Sequence, residues 1–492
     1  MASLNSRALP AQELLSTLPA APMLDAATVR AARALARPPV LIVLDDDPTG
    51  TQSVSNLPVL TRWDVEDLEW GLRQETGGEP VPALYVLTNT RSLGEAEAAT
   101  RNTEIATAAL QAAENLGVRV GFVSRGDSTL RGHYPLEPDT LAAAITAHGG
   151  APIDGVLIAP GFPDAGRITV NSTHYCVIDG MAIPAAETEF AADATFGYAS
   201  SHLAQYVQEK SGGRISASDV LAVTLDTIRN GGPEAVAAVL LQASNATPIV
   251  IDFVVEEDLR VVALGLLLAQ DRGRTFLHRV GPPFVRAIVG QDQAPPLTGT
   301  DVYAGLTPSA NGGLIVVGSH VGVTTRQLAR LKEASPETTT VELDVPSLVT
   351  QDGTDHPDRA AHLANAVAAI CAALATGNVI LQTSRALLTT ADAQSSLALS
   401  RSVSAAVVTA VQQVLAATAP RFVIAKGGIT SSDVAAFGLG IRHAIVRGPM
   451  LPGIVSLWEP QDGPATGIPY VVFAGNVGTD DSLAEVAAKL SA

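Results

Sequence analysis

LIVLDDDPTGTQ, residues 41–52, joins four apolar residues to three consecutive aspartates, Asp45, Asp46 and Asp47, and then to Pro48, Thr49 and Gly50. A short apolar run of this kind reads as a buried strand, and the polar burst after it reads as the loop at the strand's carboxyl end. In open parallel sheets, ligands bind at those carboxyl ends. Three adjacent carboxylates repel one another, and burying them costs several kcal/mol unless a cation, ligand hydroxyls or backbone donors satisfy them. An acidic turn that caps the following segment accounts equally well for the residues taken alone.

Outward from this strand the same alternation continues. That strand is expected at Val40–Leu44, and further strands at Ala83–Leu87, Arg119–Ser124, Gly155–Ala159, Val220–Thr224 and Pro248–Phe253. Helical patterns at Ser92–Leu116, Pro233–Gln242 and Glu256–Ala269 lie between several of them. Apolar strands separated by helices predict a mostly parallel sheet covered on both faces. Residues 166–183 instead alternate polar with apolar and read as a hairpin arm projecting from the sheet.

Residues 281–313, rich in Pro, Gly, Thr and Gln, read as a crossing linker. Beyond it the alternation restarts, with strands expected at Leu314–Val317, Thr339–Leu343, Asn378–Gln382, Arg421–Ala425 and Tyr470–Ala474, and a last helix from Asp481. The expected plan is α/β, with two domains of mostly parallel sheet. It comprises a helical extension over 1–39, a first domain over 40–285, a linker over 286–312 and a second domain over 313–492. Within the extension, helices are expected around Gln12–Leu18 and from Asp25, as N-cap, to Ala36. A chain of 492 residues exceeds what one core usually organises, which agrees with two domains.

The net charge of −18 argues against nucleic acid or an anionic membrane surface as partner. No run approaches the ~18 apolar residues of a membrane span. Cys176 and Cys371 are far apart, which excludes a disulfide framework and a zinc signature. No signal-peptide pattern is visible, so a cytoplasmic protein is the expectation.

A second polar strand exit is VGFVSRGDSTLRGHY, residues 120–134. Arg125, Asp127, Ser128, Thr129 and Arg131 fall within seven residues. Arginine grips carboxylates through a planar fork, and Asp127 can bind hydroxyls or accept a proton. Arg91, after the 83–87 strand, adds another carboxylate-binding group at the same sheet edge. A third is RFVIAKGGITSSDVAAFGLG, residues 421–440. Its paired Gly427 and Gly428 let backbone N–H groups approach a phosphate, with hydroxyls from Thr430, Ser431 and Ser432 following. GLIVVGSHVGVTTRQ (313–327) and FAGNVGTDD (473–481) repeat the pattern of strand, glycine and hydroxyl. Carboxylates and arginines in the first half suit an anionic polyol, and glycine–hydroxyl exits in the second suit a phosphate-rich ligand. Apart from His133, which lies inside a dense polar loop, the histidines lack triad or metal spacing. GxGxxG, GxSxG and HExxH are absent, and so is the P-loop pattern.

DDPTG at 46–50, RGDSTLRG at 125–132, GSH at 318–320, GGITS at 427–431 and GNVG at 475–478 resemble the four-carbon acid sugar kinase family in order and spacing over roughly residues 40–490. The resemblance implies an N-terminal substrate domain and a C-terminal nucleotide domain. It also implies ATP-dependent phosphorylation of an acid such as threonate, erythronate, 3-oxo-tetronate or a branched relative, with magnesium accompanying ATP. It places Asp46, Asp47, Arg91, Arg125, Gly126, Asp127, Ser128 and Arg131 around the acid, with Asp127 or Asp47 as catalytic carboxylate. Ser319, Gly427, Gly428, Ile429, Thr430, Ser431 and Gly475 fall to ATP. No protein ligand for the metal is assigned. Many members carry Lys where Arg125 stands and Glu where Ile429 stands. A homodimer, formed through the 166–183 arm, is the remaining partner expectation. A pyridine-nucleotide oxidoreductase and a non-catalytic sugar-acid sensor are the alternatives; the missing GxGxxG weighs against the first, and the lack of a DNA-binding helix pair or basic face weighs against the second.

Overall fold

The computed structural model describes residues 8–350, 354–384 and 393–492, and the first seven residues of the expected extension lie outside them. The chain forms two compact units: Met1–Val54 with Trp63–Gln293, and Ser55–Arg62 with Ala294–Ala492. Each is an α/β layer structure.

In the first unit seven strands lie in the order Leu221–Val223, Thr247–Ile251, Gly155–Ala159, Phe276–Val280, Val120–Arg125, Val40–Asp45 and Ala83–Leu87. Every neighbouring pair is parallel. Two strands keep their expected bounds, and the others move by one or two residues. Phe276–Val280 lies in the middle of this sheet and was not foreseen, because His278 and Arg279 interrupt its apolar run. Both are paired in place: His278 Nδ1 donates to the Phe122 carbonyl at 3.1 Å, and Arg279 reaches Ser124 and Glu137.

The 281–313 stretch, read as a linker, begins with a helix, Pro282–Val289, whose residues are all buried in the first unit. Its opening prolines suit the first helical turn, where their missing N–H is not needed. Gly290, at φ +73, ends it. The arm is also more embedded than its polar alternation suggested. Its strands Arg167–Val170, Thr173–Ile178 and Met181–Pro184 pair antiparallel. Cys176 packs with Leu130, Tyr134, Ile158 and Tyr206, and Thr169 exchanges backbone hydrogen bonds with Phe253.

The amino-terminal helices are Ala11–Ser16 and Ala26–Ala36. The second is capped by Asp25, which accepts from Thr28 N at 2.8 Å and Thr28 Oγ1 at 2.7 Å. Arg30 and Arg33 fasten this helix to the Gly290 and Ile288 carbonyls. Asp25→Ala is expected to cost about 1 kcal/mol of stability, readable as a lowered denaturation midpoint at an unchanged denaturant slope.

Among the described residues the second unit has five parallel strands in the order Tyr470–Phe473, Val423–Lys426, Leu314–Val317, Val379–Thr383 and Thr339–Leu343. Beyond Tyr470–Phe473 the sheet continues antiparallel through Ile454–Pro460, His443–Leu451 and Leu57–Leu60. These three strands were not anticipated. Ile315, Val317, Ile380, Phe422, Ile424, Leu457 and Phe473 form its core. No helix among the described residues is long and apolar enough to cross a membrane.

Candidate functional site

In the first unit the chain runs from the Val40–Asp45 strand outward to Ala83–Leu87, then returns to the other side of Val40–Asp45 as Val120–Arg125. The order reverses between these two neighbours, and their carboxyl ends flank the crevice where ligands of open α/β sheets sit. Those ends carry Asp45–Asp46–Asp47 and Arg125–Gly126–Asp127. Two motifs 80 residues apart in the chain (Arg125 Nε donates to Asp45) are therefore one cluster.

The carboxylates divide the cations among themselves. Arg91 holds Asp46 with a two-pronged bond, Nη2–Oδ1 at 2.6 Å and Nε–Oδ2 at 3.2 Å, and its Nη1 lies 3.6 Å from Asp47 Oδ2. Arg125, only 2% exposed, is spent on Asp45, Asp46 and the carbonyls of Asp47 and Gly126. It organises the aspartates from beneath. Burial pushes the Asp45 carboxyl up, offset in part by Arg125 and reinforced by Asp46 and Asp47. Burial would raise Asp47 as well, but Arg91, Arg125 and two bonds from Thr49 outweigh it and hold the group below its ordinary value. Gly50 is required by this packing, since a side chain there would overlap the Asp45 carboxylate and the Arg125 guanidinium.

Asp127 is half-buried and accepts from Arg131 Nε at 2.7 Å and from the Thr129 hydroxyl. Against the effect of burial, Arg91, Arg131 and Thr129 hold its carboxyl well below the usual range, so it is ionised near neutrality. The loop carrying it is pinned from behind. His174 Nε2 donates to the Ser128 carbonyl at 2.7 Å, Tyr198 to Thr129 at 2.8 Å, and Tyr206 to Leu130 at 2.9 Å. Leu130 has φ +69, a left-handed conformation unusual for its type, which the surrounding bonds impose. His133 Nε2 lies 3.0 Å from the Thr90 and Leu93 carbonyls and steadies the turn that presents Arg91.

Arg279 escaped the sequence reading. It bonds Ser124 and Glu137 and lies so close to Gly126 that a Cβ there would stand 2.5 Å from its guanidinium carbon. Gly132, at φ +117, borders the same guanidinium. An arginine inside a five-residue buried strand is the signal that could have found it, since such a charge is almost never buried without a partner.

The second unit reverses direction between Leu314–Val317 and Val423–Lys426. Their exits carry Gly318–Ser319 and Gly427–Gly428, with Gly475 just beyond the neighbouring Tyr470–Phe473 strand. The three exits touch. A Cβ on Gly427 would lie 3.1 Å from Thr430 Oγ1 and 3.3 Å from Ser319 Cβ, and one on Gly475 would lie 2.6 Å from Ser319 Oγ. Thr324 Oγ1 ties them, donating to the Gly475 carbonyl at 2.9 Å and lying 3.2 Å from Ser319 Oγ. Gly427, at φ +128 and ψ 145, holds a backbone open only to glycine. Gly428 and Thr430 are half-buried and Ile429 is exposed, whereas the Ser431 hydroxyl turns inward to the Ala425 carbonyl at 2.8 Å. Among the described residues no three His, Cys, Asp or Glu side chains converge as metal ligands.

Residues 41–288 match the sugar-binding N-terminal domain family, and residues 314–483 match the nucleotide-binding C-terminal domain family. The chain belongs to the four-carbon acid sugar kinase family. The acid-sugar-kinase pairing places the carboxylate–arginine cluster in a sugar-binding domain and the three glycine exits in a nucleotide-binding domain. Among solved structures, the chain is similar to one described as a putative tRNA synthase from Salmonella typhimurium LT2, at 18% identity and TM-score 0.61, over 90% of this chain and 98% of that one. It is also similar to a Haemophilus influenzae protein of the DUF1537 family, at 17% identity and TM-score 0.58, over 91% and 99%. At these identities the likeness establishes the fold alone. A search of curated proteins gave no match.

Proposed function

We propose that this kinase-family chain transfers the γ-phosphoryl group of ATP to a hydroxyl of a four-carbon acid sugar, such as threonate, erythronate or 3-oxo-tetronate, or of a branched relative. The observation that carries the reading is Asp127: an ionised, half-buried carboxylate beside Arg91 and Arg131 at the reversal point of a sugar-binding domain. The partly exposed guanidinium edges of Arg91 and Arg131 suit the acid's carboxylate. Asp47, the more open of the two neighbouring aspartates, suits its hydroxyls, while buried Asp46 holds the Arg91 guanidinium in place. Ser128 and Gly126 line the same loop, while Arg125 supports it from below.

In the proposed reaction the substrate oxygen bonds to the γ-phosphorus, the bond from that phosphorus to the bridging oxygen breaks, and ADP leaves. The hydroxyl proton passes to Asp127. A carboxylate with a lowered pKa is a weak base, but a loose phosphoryl-transfer transition state asks mainly for an oriented hydroxyl. In the second unit Ser319, the Gly427–Ser431 loop and Gly475 are assigned to the nucleotide phosphates, and magnesium arrives with ATP.

Incubation with ATP, magnesium and a panel of four-carbon acid sugars should release ADP with at least one acid. Binding of an acid without ADP release across the panel would instead support a sensor, and reduction of NAD(P) would support an oxidoreductase. Arg91→Lys keeps the charge but loses the planar fork. It is expected to raise KM for the acid about tenfold, roughly one bidentate contact's worth, with KM for ATP unchanged.

A further inference from the structure

Lys426 ends the Val423–Lys426 strand, immediately before Gly427, and is fully buried. Its amino nitrogen crosses to the neighbouring strand exit, donating to the Ala474 carbonyl at 2.5 Å and lying 3.9 Å above the centre of the Phe473 ring. Among the described residues it forms no ion pair. The titratable groups on the surrounding elements are committed elsewhere: Tyr470 donates to the Ser431 carbonyl, Asp433 accepts from Ser404, and His320 meets Thr383. Asp480 and Asp481 pair with Arg326 and Arg330. A buried lysine is costly unless something compensates it. Here the compensation is one carbonyl and one ring, at the junction of the glycine exits.

We infer that Lys426 is a positioning residue of the nucleotide site, a buried amine that takes up a proton from solvent and becomes a cation as a nucleotide polyphosphate settles over the Gly427–Ser431 loop. The inference rests on the reading of that loop as the phosphate site. Burial alone pushes the free group down to about 7, so at pH 8 it is mostly a neutral amine. A polyphosphate beside it supplies the missing counter-charge and favours the ammonium. The protonated form then holds the Ala474–Gly475 exit more firmly against the loop.

The test is calorimetric titration of the full chain with ATP at pH 8, where the terminal phosphate is already ionised, in two buffers of different protonation enthalpy. The expected result is uptake of about one proton per nucleotide, with affinity falling up to about tenfold per unit between pH 7 and 9. Lys426→Met should bind more weakly, take up no proton and show a flat pH profile. Should that variant fail to fold, Lys426→Arg, with its permanent charge, should bind without uptake. Intact wild-type binding with no proton uptake overturns the inference, as does equal uptake in Lys426→Met. Failure of the wild type to bind nucleotide at any pH overturns the loop reading as well, and is distinguished by the absence of any binding heat or saturation.

Discussion

Asp127→Asn is expected to lower turnover by about 10²–10⁴-fold, the range typical of a removed acid–base group, while binding of the acid stays near wild type. The substitution keeps the shape of the side chain, and the amide oxygen can still accept from Arg131 and Thr129 as the carboxylate does. What it removes is the negative charge and, with it, the proposed acceptor of the hydroxyl proton. Asp47 is the control. It also lies at a strand exit, but Thr49 takes one of its oxygens through two bonds and Arg91 stands near the other. Asp47→Asn should therefore raise KM for the acid more than it lowers kcat. The opposite split, with Asp127→Asn near wild type and Asp47→Asn inactive but binding, would exchange the two roles.

Gly427→Ala is expected to weaken ATP binding by about 10–100-fold and leave acid binding in the other unit intact. At φ +128 an L-residue carries strain of about 1–3 kcal/mol. Its Cβ would also crowd Thr430 and Ser319, the hydroxyl residues that border the loop. The backbone can relieve this only by turning its N–H groups away from the direction in which a phosphate would approach. Separate titrations with ATP and with the acid read the two effects independently; equal loss of both would point to general destabilisation.

Strands such as Ala83–Leu87 and Leu314–Val317 were legible because each is an unbroken apolar run buried on both faces, bounded by turn residues. Phe276–Val280 was not, since its polar residues are satisfied by partners far away in the chain. The antiparallel strands of the second unit escaped for local reasons. Gly448 and Pro449 interrupt His443–Leu451 at a register shift, and Leu57–Leu60 is short and includes Pro58. At the site, the loops could be located from strand exits, because parallel sheets gather polar residues there. Which cation serves which carboxylate could not. Arg125 and Arg91 look alike in sequence, yet burial makes one a support for the aspartates and leaves the other partly open. The load carried by Arg279 and Glu137 is likewise set by tertiary approach to Gly126 and Gly132.

The most direct test of the central claim is label transfer. With ATP labelled in the γ-phosphate, magnesium and the acid sugar that best stimulates ADP release, the account predicts that the label appears on a hydroxyl of the acid in step with ADP formation, and that Asp127→Asn abolishes most of that transfer. ADP formation with all the label recovered as inorganic phosphate, in the presence of a bound acid, would contradict it.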